Sequence, residues 1–351
     1  MILSQLTHPI VLAPMAGGPS TPALAAAVSD AGGLGFIAGG YRRPEDLRAD
    51  IDDVRLRTNA PFGVNLFVPG SADIDEDALR AYIAALQTEA TRLRVRLGEP
   101  RFDDDGWAVK LDLLHEERVA LASFTFGCPP SETITSLHRA GTEVWVTATD
   151  VAEARAARDA GADAIVLQGI EAGAHRASWA DKDDLEGLGV LPLVRLVASE
   201  IELPLIAAGG LGDGRAIAGV LAAGAHAVQL GTAFLRAPEA GTSEAHREAL
   251  TTDKPTALTR AFTGRLARGL VNRFILEHGE DAPIAYPYVH HVTAPLRAEA
   301  RRRGDAEGFN LWAGQAHRLA KALSAGEIVR GLAAEALEAL SDAGRGLERR
   351  T

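Results

Sequence analysis

Short apolar runs recur along the chain, each followed by a stretch in which apolar residues return every three or four positions. The runs are PIVLAPM (9–15), GLGFIAG (33–39), FGVNLFV (62–68), LASFTFG (121–127), EVWVTAT (143–149), AIVLQG (164–169), PLIAAGG (204–210) and AVQLGTAF (227–234). They are mostly continuous rather than alternating, which is the pattern of strands buried on both faces of a parallel sheet. The segments between them carry helix signals. Asp150 with Glu153 after it predicts a capping box, opening a helix that ends near Gly161. Asp213 opens another, with Ile217, Val220 and Leu221 on one face and Gly224 as its C-cap. AGADAIVL (160–167) and AGAHAVQL (223–230) echo one another as helix end, glycine turn and buried strand.

Strands alternating with helices in this way predict an α/β protein of the (β/α)8 TIM-barrel type, which typically needs about 250 residues. An open doubly wound sheet is the runner-up, but no G-x-G-x-x-G follows the first strand. The barrel is expected over residues 1–255, with a mostly helical, charged insertion at about 74–117 before strand four. Residues 256–351 are expected to form a helix-rich C-terminal extension packing on the barrel as a lid or flank, with a helix at about 325–341.

Composition narrows the partners. The 351 residues are 47% hydrophobic and 24% charged, as in soluble globular proteins. A net charge of −11 argues against nucleic acid and anionic membranes, though a local site can still take a small anion. One cysteine, Cys128, excludes an intramolecular disulfide and a thiolate cluster, and fits a reducing compartment. The N-terminus MILSQLTHPIVLAPM has no basic start, and no run approaches the roughly 20 apolar residues of a membrane span. A cytoplasmic location is expected, and a homo-oligomer is left open.

Glycines mark the predicted mouth of the barrel. Strand seven ends in AAGGLGDG (207–214) and strand eight in QLGT (229–232). One such loop reads as a turn; two on adjacent strands point to phosphate, because glycine backbone approaches an anion closely and amides supply donors. Asn65 sits inside GVNLFV and Gln168 at the end of AIVLQG, where a buried unsatisfied amide costs about 1–3 kcal/mol. Both at one mouth suit a heteroaromatic ring of alternating donors and acceptors, such as a flavin. Beyond Gln168, LQGIEAGAHRAS delivers His175 in a glycine-bearing loop, and imidazole can take or hold a proton at working pH.

The segments APMAGGPSTPALAAAVSDAGGLGFIAGGY, GVNLFVP, SFTFGCPP, LQGIEAGAH, AAGGLGDGRAIAGVLAAGAHAVQLGTAFL, FTGRLARGLVNRF and LWAGQ, in that order, resemble the nitronate monooxygenase family. These are the FMN proteins formerly called 2-nitropropane dioxygenases. The resemblance runs from about residue 8 to 330. It implies an FMN-binding barrel in which Asn65, Gln168 and Gly173 contact the flavin. The phosphate would lie against Gly210 and the loop Gln229, Leu230, Gly231 and Thr232. The catalytic histidine of the family's G-x-E-x-G-G-H motif falls on His175. The implied reaction is oxidation of an alkyl nitronate by molecular oxygen, giving a carbonyl compound and nitrite.

The chain departs from the family pattern at three points. Ala174 stands where the family has glycine, Cys128 where an aliphatic residue is expected, and His290 near a usual asparagine. The pair His290–His291 lacks a companion ligand at metal spacing and in a strand would face opposite ways, so no metal is expected. Arg265 and Arg268 are candidates to reach an anion, with surface pairing as the default for arginines on a helix, and Trp312, Gly314 and Gln315 read as residues that close over the flavin. Rival readings are an NAD(P)H-dependent flavin reductase of the enoyl-acyl-carrier-protein or quinone type, and a non-catalytic FMN-binding protein.

Overall fold

The computed structural model describes residues 1–181 and 187–348. Eight parallel strands form the central sheet: β1 (Ile10–Leu12), β2 (Gly35–Ala38), β3 (Phe62–Phe67), β4 (Leu121–Thr125), β5 (Glu143–Ala148), β6 (Ala164–Gln168), β8 (Leu205–Ala208) and β9 (Ala227–Leu230). The two-residue strand β7 (Ala174–His175) stands outside it. The sheet order is β1-β9-β8-β6-β5-β4-β3-β2. Leu12 N–H donates to Leu34 O and Leu34 N–H to Ile10 O, each at 2.9 Å, which brings the two edges together into a (β/α)8 barrel. Around it lie α1 (Pro22–Asp30), α2 (Pro44–Arg57), α6 (Ser131–Arg139), α7 (Val151–Ala160), α8 (Val190–Ala198) and α9 (Gly214–Ala222). No helix among the described residues is long and apolar enough to cross a membrane.

The strands are shorter than the apolar runs that predict them. The first ends at Leu12 because Pro14 has no N–H for a ladder. The last ends at Leu230, where Gly231 turns the chain into a short 3-10 segment, Thr232–Phe234. Inside the barrel Val11, Phe36, Trp145, Val166 and Ile206 pack together, and Ile2 plugs the end where the strands begin. Its backbone N–H donates to Glu143, the first residue of β5. Asp150 caps α7 by accepting from Glu153 N–H at 2.8 Å. The Glu153 carboxylate completes no capping box; it takes Thr149 N–H at 2.6 Å and Trp179 N–H at 2.7 Å, tying the helix start to the loop after β6.

The insertion holds α3 (Glu76–Ala85), α4 (Gln87–Leu93) and α5 (Trp107–Glu117). After the barrel come α10 (Glu244–Ala249), β10 (Thr256–Thr259), β11 (Ala267–Leu270), α11 (Arg273–His278), α12 (Tyr288–Arg302) and α13 (Ala325–Glu348). Helix α13 runs seven residues past its expected end at 341 and packs on α9 and α1. Leu79, Tyr82 and Leu93 of the insertion share one apolar core with Phe262, Phe274, Val292 and Phe309. Tyr82 Oη donates to Ala261 O at 2.6 Å across it.

The C-terminal segment is not only helical. Strands β10 and β11 pair antiparallel, and β11 pairs in turn with β7, setting Ala267 opposite His175 and Arg268 opposite Ala174. Arg268 therefore lies on a strand, not on a surface helix, and Arg265 is buried in the turn before it. His290 and His291 lie on α12, not on a strand. A two-residue strand such as β7 has no periodicity of its own, so this sheet leaves no mark in the sequence pattern.

Candidate active site

A cavity of about 460 Å³ opens at the C-terminal ends of the barrel strands. Asn65, Gln168, Gly173, His175, Gly210, Gln229, Leu230, Gly231 and Thr232 all line it. The lining holds three histidines and two arginines but no carboxylate among the described residues. That is the reverse of the protein's overall charge and favours a negatively charged occupant.

Two backbone loops form one side. Gly209 and Gly210 adopt φ of +111° and +68°, and a Cβ on Gly210 would stand 2.9 Å from Cβ of Glu171. Among the described residues, the N–H groups of Gly210, Leu211, Gly231 and Thr232 donate to no backbone acceptor. Free N–H groups from two adjacent loops make a cradle for phosphate oxygens. Toward the barrel axis, Asn65 Nδ2 donates to Ser123 O at 3.1 Å, to Ser123 Oγ at 2.9 Å and to Thr125 Oγ1 at 3.0 Å. The Ser123 carbonyl fixes the amide's orientation and leaves Asn65 Oδ1 as an acceptor for a ligand. Gln168 is committed differently. Its Nε2 donates to His175 O at 3.0 Å and its Oε1 accepts Ala177 N–H at 2.9 Å, so it holds the histidine loop in shape.

His175 stands among Phe126, Tyr286 and Trp312, with ring centroids 5.7–5.8 Å away. Its Nε2 lies 2.9 Å from Thr263 Oγ1, which leaves Nδ1 without a protein partner. Burial, and then the charges of Arg265 and Arg297, push the imidazole down to about 3. The neutral ring is therefore the working form. Ala174 before it has φ +63°, a left-handed conformation that costs an L-residue about 1–2 kcal/mol. The loop is held there from both sides, by Gln168 and by the β7–β11 pairing. Arg265 stacks its guanidinium 4.0 Å from the Phe126 ring centre and donates to Arg176 O and Ser178 O.

Trp312 and Gly314 also line the cavity. Their segment docks through Gly314 N–H to Thr232 Oγ1 and Gln315 N–H to Glu171 O, each at 3.0 Å. His246 Nε2 lies 3.1 Å from Trp312 O. Cys128 is half-buried and lies outside the lining; burial pushes its thiol up to about 11, so it behaves as a small hydrophobe, not a nucleophile.

The remaining wall was not legible as a site. Tyr41, at φ +62°, stacks on His290 at 4.2 Å, and Tyr286 Oη lies 3.1 Å from Tyr41 Oη. The insertion holds Tyr41 in place: Asp105 Oδ1 accepts Tyr41 N–H at 2.9 Å, and Asp105 Oδ2 pairs with the buried Lys110 ammonium at 2.8 Å. Lys110 Nζ also donates to Gly39 O at 2.9 Å. Removing Asp105 leaves that ammonium uncompensated. Asp105→Ala is expected to lower unfolding free energy by about 3–5 kcal/mol, measured by urea denaturation. A loss below about 1 kcal/mol would show that water reaches Lys110.

A barrel with its cavity at the C-terminal strand ends, two glycine loops offering N–H groups and a histidine in the lining has the layout of a TIM-barrel enzyme. The profile of the nitronate monooxygenase family matches residues 1–335, and the chain belongs to that family of flavin-dependent oxidoreductases. It is 44% identical over 342 residues to a Pseudomonas aeruginosa protein named nitronate monooxygenase, covering 95% of this chain and 97% of that one. A Staphylococcus aureus protein named probable nitronate monooxygenase is 38% identical over 329 residues, 90% of each chain. Among solved structures, nitroalkane oxidase from Streptomyces ansochromogenes superposes with a TM-score of 0.95 at 49% identity, covering 97% of this chain and 99% of that one. FabK from Thermotoga maritima is more distant, with a TM-score of 0.76 at 28% identity, covering 99% and 97%.

Proposed function

We propose that the protein oxidises alkyl nitronates with molecular oxygen to a carbonyl compound and nitrite, using FMN held in this cavity. The observation that carries the reading is His175, its Nδ1 free, in a cavity that no carboxylate lines and beside N–H groups with no backbone acceptor, both among the described residues. The donor set fits FMN. The loops at Gly210 and at Gly231–Thr232 would take the phosphate, Asn65 Oδ1 would accept from the ring, and Gly173 lets backbone approach it. When bound, the flavin supplies the redox chemistry, passing electrons from substrate to oxygen.

The chain's own groups do the rest. Thr263 and the β7–β11 pairing orient His175, and the rings of Phe126, Tyr286 and Trp312 limit water around it. With a preformed nitronate, the neutral imidazole positions the anion. With a neutral nitroalkane, Nδ1 accepts the α-carbon proton.

The depressed ionisation sets a pH test. His175 gains a proton only well below the usual imidazole range, so kcat/KM for freshly made nitronate is expected to stay level from about pH 8 to about pH 5. An acid limb at about pH 6.5 would mean that His175 titrates normally.

The reaction itself is tested by mixing purified protein with a panel of nitronates under air, without nicotinamide, and measuring oxygen uptake and nitrite. Equimolar nitrite and carbonyl product are expected. Rapid NADH or NADPH consumption with an enoyl thioester or quinone, and no nitronate turnover, would replace this reading with a reductase. FMN in the supernatant of heat-denatured protein identifies the cofactor.

A further inference from the structure

The chain carries 47 acidic residues against 36 basic ones, yet none of the acids reaches the cavity among the described residues. The basic groups lining it therefore lack local neutralisation. Of the two arginines, Arg297, on α12, is the more enclosed, only 9% exposed. Its Nε donates to Thr293 Oγ1 at 3.0 Å, and Nη2 donates to His290 O at 2.8 Å and lies 3.3 Å from His290 Nδ1. Nη1 has no protein acceptor among the described residues, and Arg297 forms no ion pair there. Burial pulls the guanidinium down to about 10, which still leaves it charged at working pH.

A buried cation without a counter-charge is costly, and folds normally pair it. Here the surroundings are two tyrosines, a histidine and a threonine. His290, stacked on Tyr41, braces the guanidinium, and His175 lies close enough for its ionisation to be pushed down by the Arg297 charge. The vacant donor and the presented imidazole thus belong to one compartment.

We propose that Arg297 is the counter-charge of the substrate, its free Nη1 holding a planar oxyanion, namely the oxygens of the nitronate group. This rests on the nitronate reading above. It gives the site a preference for anion over neutral nitroalkane. It also supports the deprotonation step: the C–H bond breaks, its electron pair moves into the C–N bond, negative charge passes to the nitro oxygens beside Arg297, and the proton goes to His175 Nδ1. Arg302, on the same helix, is the contrasting cation. It is exposed, lies outside the cavity lining and pairs with Glu299 at 2.7 Å.

Nitrate, a planar oxyanion that cannot react, is the probe. The experiment measures its affinity for flavin-loaded protein by calorimetry and its competitive inhibition against nitronate. Arg297→Met is expected to weaken nitrate binding and to raise KM by about 10–100-fold, the range for a charge-assisted hydrogen bond, with a smaller change in kcat and unchanged flavin content. Arg297→Lys keeps the charge but loses the fork, and an intermediate loss of about three- to tenfold is expected. It decides the matter if Arg297→Met does not fold. Arg302→Met is expected to bind nitrate within about twofold of wild type. The proposal is overturned if the wild type binds no nitrate, if both Arg297 variants bind it normally, or if Arg302→Met loses as much as Arg297→Met. If nitrate binding follows Arg297 while no nitronate is oxidised, the proposed reaction fails and the anion site stands.

Discussion

His175→Asn is expected to lower turnover of neutral nitroalkane by about 10²–10⁴-fold, with a smaller fall for preformed nitronate, while leaving the flavin bound. Asparagine is polar and smaller than histidine, so it fits beside Phe126, Tyr286 and Trp312 without crowding them. Its backbone can still pair with β11, since that pairing opposes residue 175 to Ala267 through main-chain groups. What it lacks is a ring nitrogen that can take a proton. It also cannot span to Thr263 Oγ1 while offering a second atom to substrate, as His175 does. The N–H groups proposed to hold the flavin phosphate lie on the loops after β8 and β9 and are untouched by the change. Flavin absorbance per chain and oxygen uptake with neutral nitroalkane and with nitronate are the measurements. Wild-type turnover in this variant would remove His175 from the chemistry.

Gly173→Ala is expected to act on the cofactor instead. A Cβ there would stand 2.5 Å from Gly314 N and 2.6 Å from Ala313 C, both main-chain atoms. They cannot give way freely, because Gly314 N–H is bonded to Thr232 Oγ1 and Gln315 N–H to Glu171 O. Relieving the clash means lifting the 313–315 segment from the cavity rim. A destabilisation of about 1–3 kcal/mol and a sharp fall in bound flavin are expected, read by thermal unfolding and the flavin-to-protein ratio. Gly219→Ala is the comparison. Nothing lies within 4 Å of its added Cβ on α9, and alanine there is expected to stabilise the helix by up to about 1 kcal/mol. Equal flavin content in the two variants would show that close approach at Gly173 is not needed.

Ala174 illustrates how far sequence reading reaches. Set against the family pattern, it marks a loop expected to be stiffer or displaced. Its φ of +63° shows that the chain accepts the strained conformation with a methyl group present. The reason lies outside the motif: Gln168 holds His175 O and Ala177 N–H, and Arg268 on β11 pairs opposite Ala174. Arg265 and His290 show the same limit. As isolated letters they suggest surface pairing and a doubtful metal pair. In the fold, one stacks on Phe126 behind the cavity, and the other braces Arg297 against Tyr41.

The barrel, its glycine loops and the histidine segment are determined by the sequence alone, because each is local. Buried parallel strands leave continuous apolar runs, helices leave a 3.6-residue period, and phosphate loops need glycines at adjacent strand ends, all within a few residues of chain. The opposite wall is decided only by tertiary structure. Tyr41, Asp105, Thr263, Tyr286, His290 and Arg297 come from the β2 loop, the insertion and the extension; the last two share an apolar core, and Asp105 and Tyr286 tie Tyr41 to them. An arginine reads the same in sequence whether it faces water or is buried without a carboxylate. Only packing withholds the partner, and with it creates the charge that the cavity presents.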